Sequence, residues 1–445
     1  MAVNATSAGS MAGDMADFRG GAAAPGRGLY PRRTPPCRIR AAGMTFGTAT
    51  SRCRAPDCDQ PPHGAMANVK KESTMVLKRL TALGMALLLC ACGGGDGAPA
   101  IAALQAEADG ARAAMGVPAL SVVTVEGDAV TTVVSGQRSM ATATAASITL
   151  NDRFQMGSQT KAATGMLVAR LVAQRRLRWD STMAELFPAW RDGMQPALRG
   201  VTVEQLLRHR GGVQRDIEGE DSAVLRPLVT GDVAADRVTL ARHFLHKVPL
   251  HAPGTRYVYS NIGYLLAGLA AETAGGAPFE QLMQREVFAP LGMAARLGFP
   301  EEEGAPGLLG HTLRDGVWTP TMFEGEERHG MELLAASGGM MASMADYGKL
   351  LRAQLQGLRG ASDYLDRDAF RRMHGPAGQY GLGWAVTDEA GLGRVSAHSG
   401  SWGTYYVFAL VLPDRDRAVA VACNCFGEEA VVQADRLALR LAGRN

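Results

Sequence analysis

Phe154-Gln155-Met156-Gly157-Ser158-Gln159-Thr160-Lys161 sets a serine three residues before a lysine, at the point where an apolar periodic segment begins. Met166, Leu167, Val168, Leu171 and Val172 follow at helical spacing, which predicts that Ser158 stands at or near the N-terminus of a buried helix. Residues three apart share one helix face, so the Lys161 amine can approach the Ser158 hydroxyl. A serine hydroxyl is a weak nucleophile at neutral pH and needs a neighbouring base. A lysine serves as that base only when desolvation or nearby positive charge lowers its pKa enough to leave a neutral fraction. The helix N-terminus adds positive potential and free N–H groups for a developing oxyanion. The competing reading is that Ser158 caps an ordinary helix and Lys161 points to water. These eight residues alone do not separate the two.

The 445 residues are 47% hydrophobic and 20% charged, which fits a soluble globular protein of one large or two smaller domains. The net charge of +3 hides a division: residues 1–92 carry twelve Lys and Arg against five Asp and Glu, and the rest of the chain is net negative. The basic balance therefore gives no argument for a nucleic-acid partner. Cysteine is segregated in the same way, with Cys37, Cys53, Cys58, Cys90 and Cys92 in the first fifth and only Cys423 and Cys425 beyond it. A disulfide framework is not what holds the main domain together. Cys423 and Cys425, two apart on a predicted strand, share one face and read as small buried residues rather than a redox or metal pair.

From Met75, Lys78 and Arg79 form a basic n-region, and Leu80 to Leu89 an apolar run too short to span a bilayer comfortably. Leu89-Cys90-Ala91-Cys92 then resembles a bacterial lipobox, with Cys92 as the lipidated residue and residues 93–97 as a flexible tether. A plain secretory signal cleaved nearby is the alternative. Either way the expected location is the cell envelope, and the lipid anchor implies a periplasm-facing lipoprotein. Residues 1–74 are rich in Ala, Gly, Arg and Pro without a hydrophobic period. They read as disordered, or as upstream translation ahead of a true start at Met75 or Met66.

Ile101 to Met115 reads as an amphipathic helix, and Pro118–Val125 and Ala129–Val134 flank a Glu126-Gly127-Asp128 turn as a hairpin. A short helix over Val201–His209 and longer ones over roughly 237–249, 261–274 and 278–290 fill the middle. Strand character returns at Tyr380–Val386, at Gly393–Ala397 as an edge strand, at Tyr405–Leu412 and at Ala418–Cys423, before a closing helix over Glu428–Ala442. These elements predict an α/β chain of the α+β type: one antiparallel sheet built from both chain ends, flanked by helices, with an inserted helical lobe. The sheet lobe takes residues 98–157 and 335–445 and the helical lobe 158–334, with a cleft where they meet.

Two further elements bear on chemistry. Tyr259-Ser260-Asn261 places a tyrosine and an asparagine on one side of an extended segment. A tyrosine near a lysine ammonium can be acidified and shuttle a proton, and an asparagine offers a donor and an acceptor to hold the lysine and a substrate amide. The plainer alternative is a helix start, with Ser260 or Asn261 as its cap and Tyr259 in the core. His398-Ser399-Gly400-Ser401 offers a small-residue strand along which a substrate backbone can lie, and a histidine able to donate to a carboxylate or support proton transfer. A polar turn between strands is the alternative there.

In this order the three elements resemble the serine beta-lactamase-like superfamily, which includes D-alanyl-D-alanine carboxypeptidases, class C beta-lactamases, D-aminopeptidases and beta-lactamase-like carboxylesterases. Leu206-Leu207-Arg208-His209, Pro253-Gly254, Pro290-Leu291-Gly292-Met293, Gly338-Gly339-Met340 and Tyr380-Gly381-Leu382-Gly383-Trp384 extend the likeness over residues 98–445. The resemblance implies that Ser158 is acylated, with Lys161 as its base or the tuner of a base. It implies that Tyr259 passes a proton to the leaving group while Asn261 orients Lys161 and substrate. His398, Ser399 and Gly400 would form the third motif, with the N–H groups of Ser158 and Ser401 as the oxyanion hole. No metal or organic cofactor is implied, and the substrate is a small molecule or peptide.

Two departures stand out. His398 occupies the place of a lysine in class C beta-lactamases, which favours the carboxypeptidase, D-peptidase and esterase branches. Arg210-Gly211-Gly212 replaces the usual Thr-Ser-Gly. A rival cluster, His243, His246 and His251, lacks a carboxylate at ligand spacing and reads as a helix end and loop rather than a metal site. The expected protein is thus a monomeric serine hydrolase acting on D-alanyl peptides or small acyl esters. The alternative is a penicillin-binding sensor or envelope binding protein with little turnover.

Overall fold

The computed structural model describes residues 97–141, 145–217, 219–303 and 307–443. The expectations for the leader, the signal segment, Cys92 and most of the tether fall outside the described residues. Helix α1 (Gly97–Met115) leads into strands β1 (Ala119–Glu126) and β2 (Ala129–Gly136), then β3 (Arg153–Gln155) and helix α2 (Thr160–Ala173). Helices α3 (Val203–Leu207), α4 (Val233–His246) and α5 (Asn261–Gly275) follow, then β4 (Arg296–Leu297), β5 (His311–Arg314), β6 (Val317–Pro320), β7 (Met340–Ser343) and α6 (Met344–Arg359). The C-terminal part carries β8 (Gln379–Tyr380), β9 (Ala385–Glu389), β10 (Gly393–Ser401), β11 (Tyr406–Leu412), β12 (Arg417–Cys423), β13 (Cys425–Phe426) and helix α7 (Glu428–Ala442).

Seven strands form the main antiparallel sheet, in the order β2-β1-β12-β11-β10-β9-β8. Both chain ends contribute, as the hydrophobic pattern predicts. Alternation along β11 sorts its side chains onto two faces. Tyr406, Phe408, Leu410 and Leu412 enter the core beneath α1 and α7, while Val407, Ala409 and Val411 enter the larger core on the other side. Strand β12 repeats this, with Val419, Val421 and Cys423 on the first face and Ala418, Ala420 and Ala422 on the second. Helix α7 lays Ala430, Ala434, Leu437, Ala438 and Leu441 on the sheet at helical spacing.

Two differences from the sequence expectation have physical causes. The segment 296–320 is not purely helical: β5 pairs with β6 and, in parallel, with β13, and β4 pairs with β7 beside β3. These strands are two to four residues long, too short for a period-2 pattern to stand out. The edge strand is also displaced. Gly393–Ala397 pairs with β9, and from Ser396 β10 also pairs with β11; β9 pairing stops at Ala397, and β10 continues to Ser401 on β11 alone. The open edge beside the nucleophile turn is therefore His398–Ser401 itself, which is strand and not a turn.

Helices α2 and α5 are buried almost all round, which is what the near-continuous apolar run Ile262–Ala271 implies for a helix at the centre of a lobe. Ser260 caps α5 by accepting from Gly263 N–H at 2.8 Å. Among the described residues no helix is long and apolar enough to cross a membrane.

Candidate active site

A single 3-10 turn, Gly157–Gln159, carries Ser158 into α2. Four hydrogen bonds, to β7, β10 and α6, fix that turn. Met156 N–H donates to Met340 O on β7 at 2.8 Å, and Met340 N–H donates back to Thr160 Oγ1 at 3.0 Å. Gln159 Nε2 donates to His398 O on β10 at 2.6 Å, and Tyr347 of α6 donates to Gln159 Oε1 at 2.6 Å. Gly157 takes φ +51°, and a Cβ there would stand 2.3 Å from Ser401 N. This backbone approach, available only to glycine, brings the start of α2 against the open edge of β10, so the peptide nitrogens of Ser158 and Ser401 belong to adjoining segments.

Lys161 reaches Ser158 as its spacing predicts. Its Nζ lies 3.0 Å from Ser158 Oγ, 2.8 Å from Asn261 Oδ1 and 2.9 Å from Ser337 O. The residue is fully buried, and desolvation holds its pKa well below the ordinary 10.5, against a smaller opposing pull from Asp216. A neutral amine has two N–H groups and one lone pair. Two of the three neighbours, Asn261 Oδ1 and Ser337 O, are acceptors only, so they take both N–H groups and the lone pair is left for the Ser158 hydroxyl proton. Tyr259 donates its O–H to Ser158 Oγ at 2.7 Å, which completes the hydrogen bonding of that oxygen.

Asn261 is held in turn by Asp216, whose Oδ2 accepts from Asn261 Nδ2 at 2.8 Å. This fixes which end of the amide faces Lys161. Burial raises the Asp216 pKa. Tyr259 departs from the sequence expectation of an acidified phenol: burial pushes its pKa far above 10, outweighing the hydrogen bond with Ser158. The lysine beside it, 4.7 Å from the ring centre, is itself biased toward neutrality and supplies little of the charge that would acidify it. Ser260 N–H donates to His209 Nδ1 at 3.0 Å, and the His209 ring packs 4.3 Å from that of Tyr259.

On the sheet side, His398 is buried on β10. Its Nδ1 lies 2.6 Å from Ser399 O and its Nε2 2.8 Å from the Tyr380 hydroxyl. Ser401 Oγ accepts from Gly403 N–H at 2.8 Å, and Trp402 Nε1 donates to Gly338 O, next to the carbonyl that receives Lys161. A Cβ on Gly400 would sit 2.1 Å from Met156 O. Gly400→Ala is therefore expected to push β10 off the nucleophile turn and lower kcat by roughly 10²-fold, the scale of a lost oxyanion donor. Ester turnover together with unchanged far-UV circular dichroism checks this; wild-type kcat in the variant counts against the contact.

The structure thus gathers Ser158, Lys161, Tyr259 and Asn261 around one oxygen and sets His398, Ser399, Gly400 and Ser401 on the facing strand. Sequence reasoning missed Asp216, the Ser337 carbonyl and the Tyr380 hydroxyl. A backbone carbonyl leaves no trace in sequence, and Asp216 sits in an unpatterned loop. Tyr380 was visible as part of a strand signature, but its partner lies 18 residues away. The three histidines go separate ways: His243 Nε2 meets Asp221 Oδ1 at 2.8 Å, His251 Nδ1 meets Ala252 O, and His246 packs on Gly193.

With this geometry in place, the profile of the Beta-lactamase family matches residues 104–444. The chain belongs to the beta-lactamase family. It is 26% identical over 264 residues to a putative D-alanyl-D-alanine carboxypeptidase of Escherichia coli (strain K12), covering 53% of this chain and 59% of that protein. It is 26% identical over 310 residues to penicillin-binding protein 4 of Amycolatopsis lactamdurans, covering 63% and 74%. The chain therefore spans only about three-fifths of the first of these relatives. The solved beta-lactamase/D-alanine carboxypeptidase from Pseudomonas syringae shares the fold, with a TM-score of 0.61 at 18% identity over 77% of this chain and 99% of that one.

Proposed function

We propose that this member of the beta-lactamase family is a serine hydrolase that cleaves an ester or amide through a Ser158 acyl-enzyme, with D-alanyl peptides or small acyl esters as substrates. One observation carries the reading: Lys161 Nζ, buried and biased to the neutral state, has both N–H groups engaged and turns its lone pair to the Ser158 hydroxyl. Ser158 Oγ attacks the substrate carbonyl and its proton passes to Lys161. The N–H groups of Ser158 and Ser401 receive the oxyanion. Tyr259 gives its proton to the departing oxygen or nitrogen, and the proton taken up by Lys161 then passes to the Tyr259 oxygen, which resets both groups. Water then attacks the acyl-enzyme by the reverse proton path. The name of the Escherichia coli relative supports a D-alanyl substrate. Segment 75–92 supports an exported protein anchored through Cys92.

Rapid-mixing kinetics with a p-nitrophenyl ester tests this. The expected trace is a burst equal to the enzyme concentration followed by steady turnover. A stoichiometric burst with no further release makes the protein an acylated sensor, and no burst at all removes the covalent reading.

A further inference from the structure

We propose that Tyr380 closes the His398 side of the cleft to carboxylates, so that the preferred substrates carry no free carboxylate on the leaving group. These are neutral esters, or D-alanyl bonds internal to a peptide rather than at its end. The inference rests on the Ser158 acyl-enzyme reading.

It follows from donors and acceptors. Ser399 O can only accept, so His398 Nδ1, 2.6 Å away, carries the ring proton. A neutral imidazole has one N–H, which leaves Nε2 as a lone pair, and the Tyr380 hydroxyl at 2.8 Å donates to it. Both ring nitrogens are thereby occupied inside the protein. For a carboxylate to be bound by the His398 ring, His398 must abandon a partner or take a second proton. That second proton is opposed on every side. Burial holds the His398 pKa down, at about 3. The Tyr259 ring packs 6.4 Å away, and His209, 4.5 Å from the Tyr380 ring, is itself kept neutral by burial. Two further phenols lie beside Tyr380: Tyr257, whose ring centre is 5.8 Å away, and Tyr264, which gives its own proton to Leu207 O at 2.9 Å.

His398 faces the leaving group because its ring neighbours that of Tyr259, whose hydroxyl hands over the proton. An exposed cation, Arg215, acts on Tyr257, Tyr259 and Asp216, on the helical side. It is the rival receptor that the experiment must separate.

The probes are acetyl-D-alanyl-D-lactic acid and its carboxamide, which present the same scissile ester with and without a leaving-group carboxylate. Wild-type enzyme is expected to favour the carboxamide in kcat/KM by roughly tenfold or more, the worth of one charge-assisted hydrogen bond that cannot be made. Tyr380→Phe keeps the ring and frees His398 Nε2. Its preference is expected to narrow by about tenfold, and its ratio of kcat/KM for the acid to that for the carboxamide to rise as pH falls, a change that wild type does not show.

Equal turnover of the two probes, or preference for the acid, by wild type overturns the proposal. If that preference disappears in Arg215→Gln, the receptor is Arg215. A Tyr380→Phe enzyme that loses both probes equally at every pH also overturns it, because the hydroxyl is then only structural. Fluorophosphonate labelling of Ser158 in the same samples tells this failure from a failure of the acyl-enzyme itself. Labelled enzyme without discrimination sinks the carboxylate inference alone; unlabelled and inactive enzyme sinks both.

Discussion

Ser158→Ala is expected to lower ester turnover by roughly 10⁵-fold or more, the scale on which removal of a nucleophile registers in serine hydrolases. The side chain is only half-buried, and Lys161 keeps its bonds to Asn261 and Ser337 after the change, so the fold and melting temperature stay near wild type. The same substitution is expected to abolish covalent labelling by a fluorophosphonate or a fluorescent penicillin. Adding Lys161→Met to Ser158→Ala is expected to cost nothing further, because residues that act as one unit are not additive. Labelling that survives the loss of the hydroxyl places the nucleophile elsewhere.

Lys161→Met is the second large effect, with an expected kcat loss of roughly 10³-fold or more for removal of a positioned base. Met has a similar length but no lone pair to take the serine proton. The wild-type pH profile follows from the direction of the Lys161 shift. The base form is the neutral amine, so kcat/KM falls as pH drops through the lowered pKa, and Lys161→Met lacks that limb. Stability is linked in the same window. Between the lowered pKa and 10.5 the unfolded chain holds a proton that the native state does not, so stability rises with pH there. The slope approaches about 1.4 kcal/mol per pH unit for one proton. Urea denaturation at several pH values is expected to show this component in wild type and its absence in the variant. Identical slopes in the two proteins count against a neutral buried lysine.

How much of this was legible in the chain depends on the range of the interaction. The Ser158–Lys161 contact was readable because three residues on a helix are a fixed geometry, and a cap at Ser260 or Asn261 because its partner is local, the structure selecting Ser260 through Gly263. The hairpin β1–β2 and the alternating strands β11 and β12 were readable because their period of two is set by burial on two faces. Edge and interior strands were not told apart, because strand order depends on partners far away in the chain: β10 is flanked by β11 and β9, and only its pairing limits expose His398–Ser401.

By itself, the sequence determined the α+β class, the helix that presents Ser158 and the three motifs that carry the reactive groups, since each is set by short-range spacing and burial. Tertiary structure alone decided which groups meet across 100 residues or more. It also decided that Asp216 fixes the Asn261 amide, that burial rather than charge governs Lys161 and Tyr259, and that Tyr380 settles the tautomer of His398. The reason is physical: a protonation state is set by the solvent a group has lost and the partners it has gained, and neither exists until the chain has folded around it.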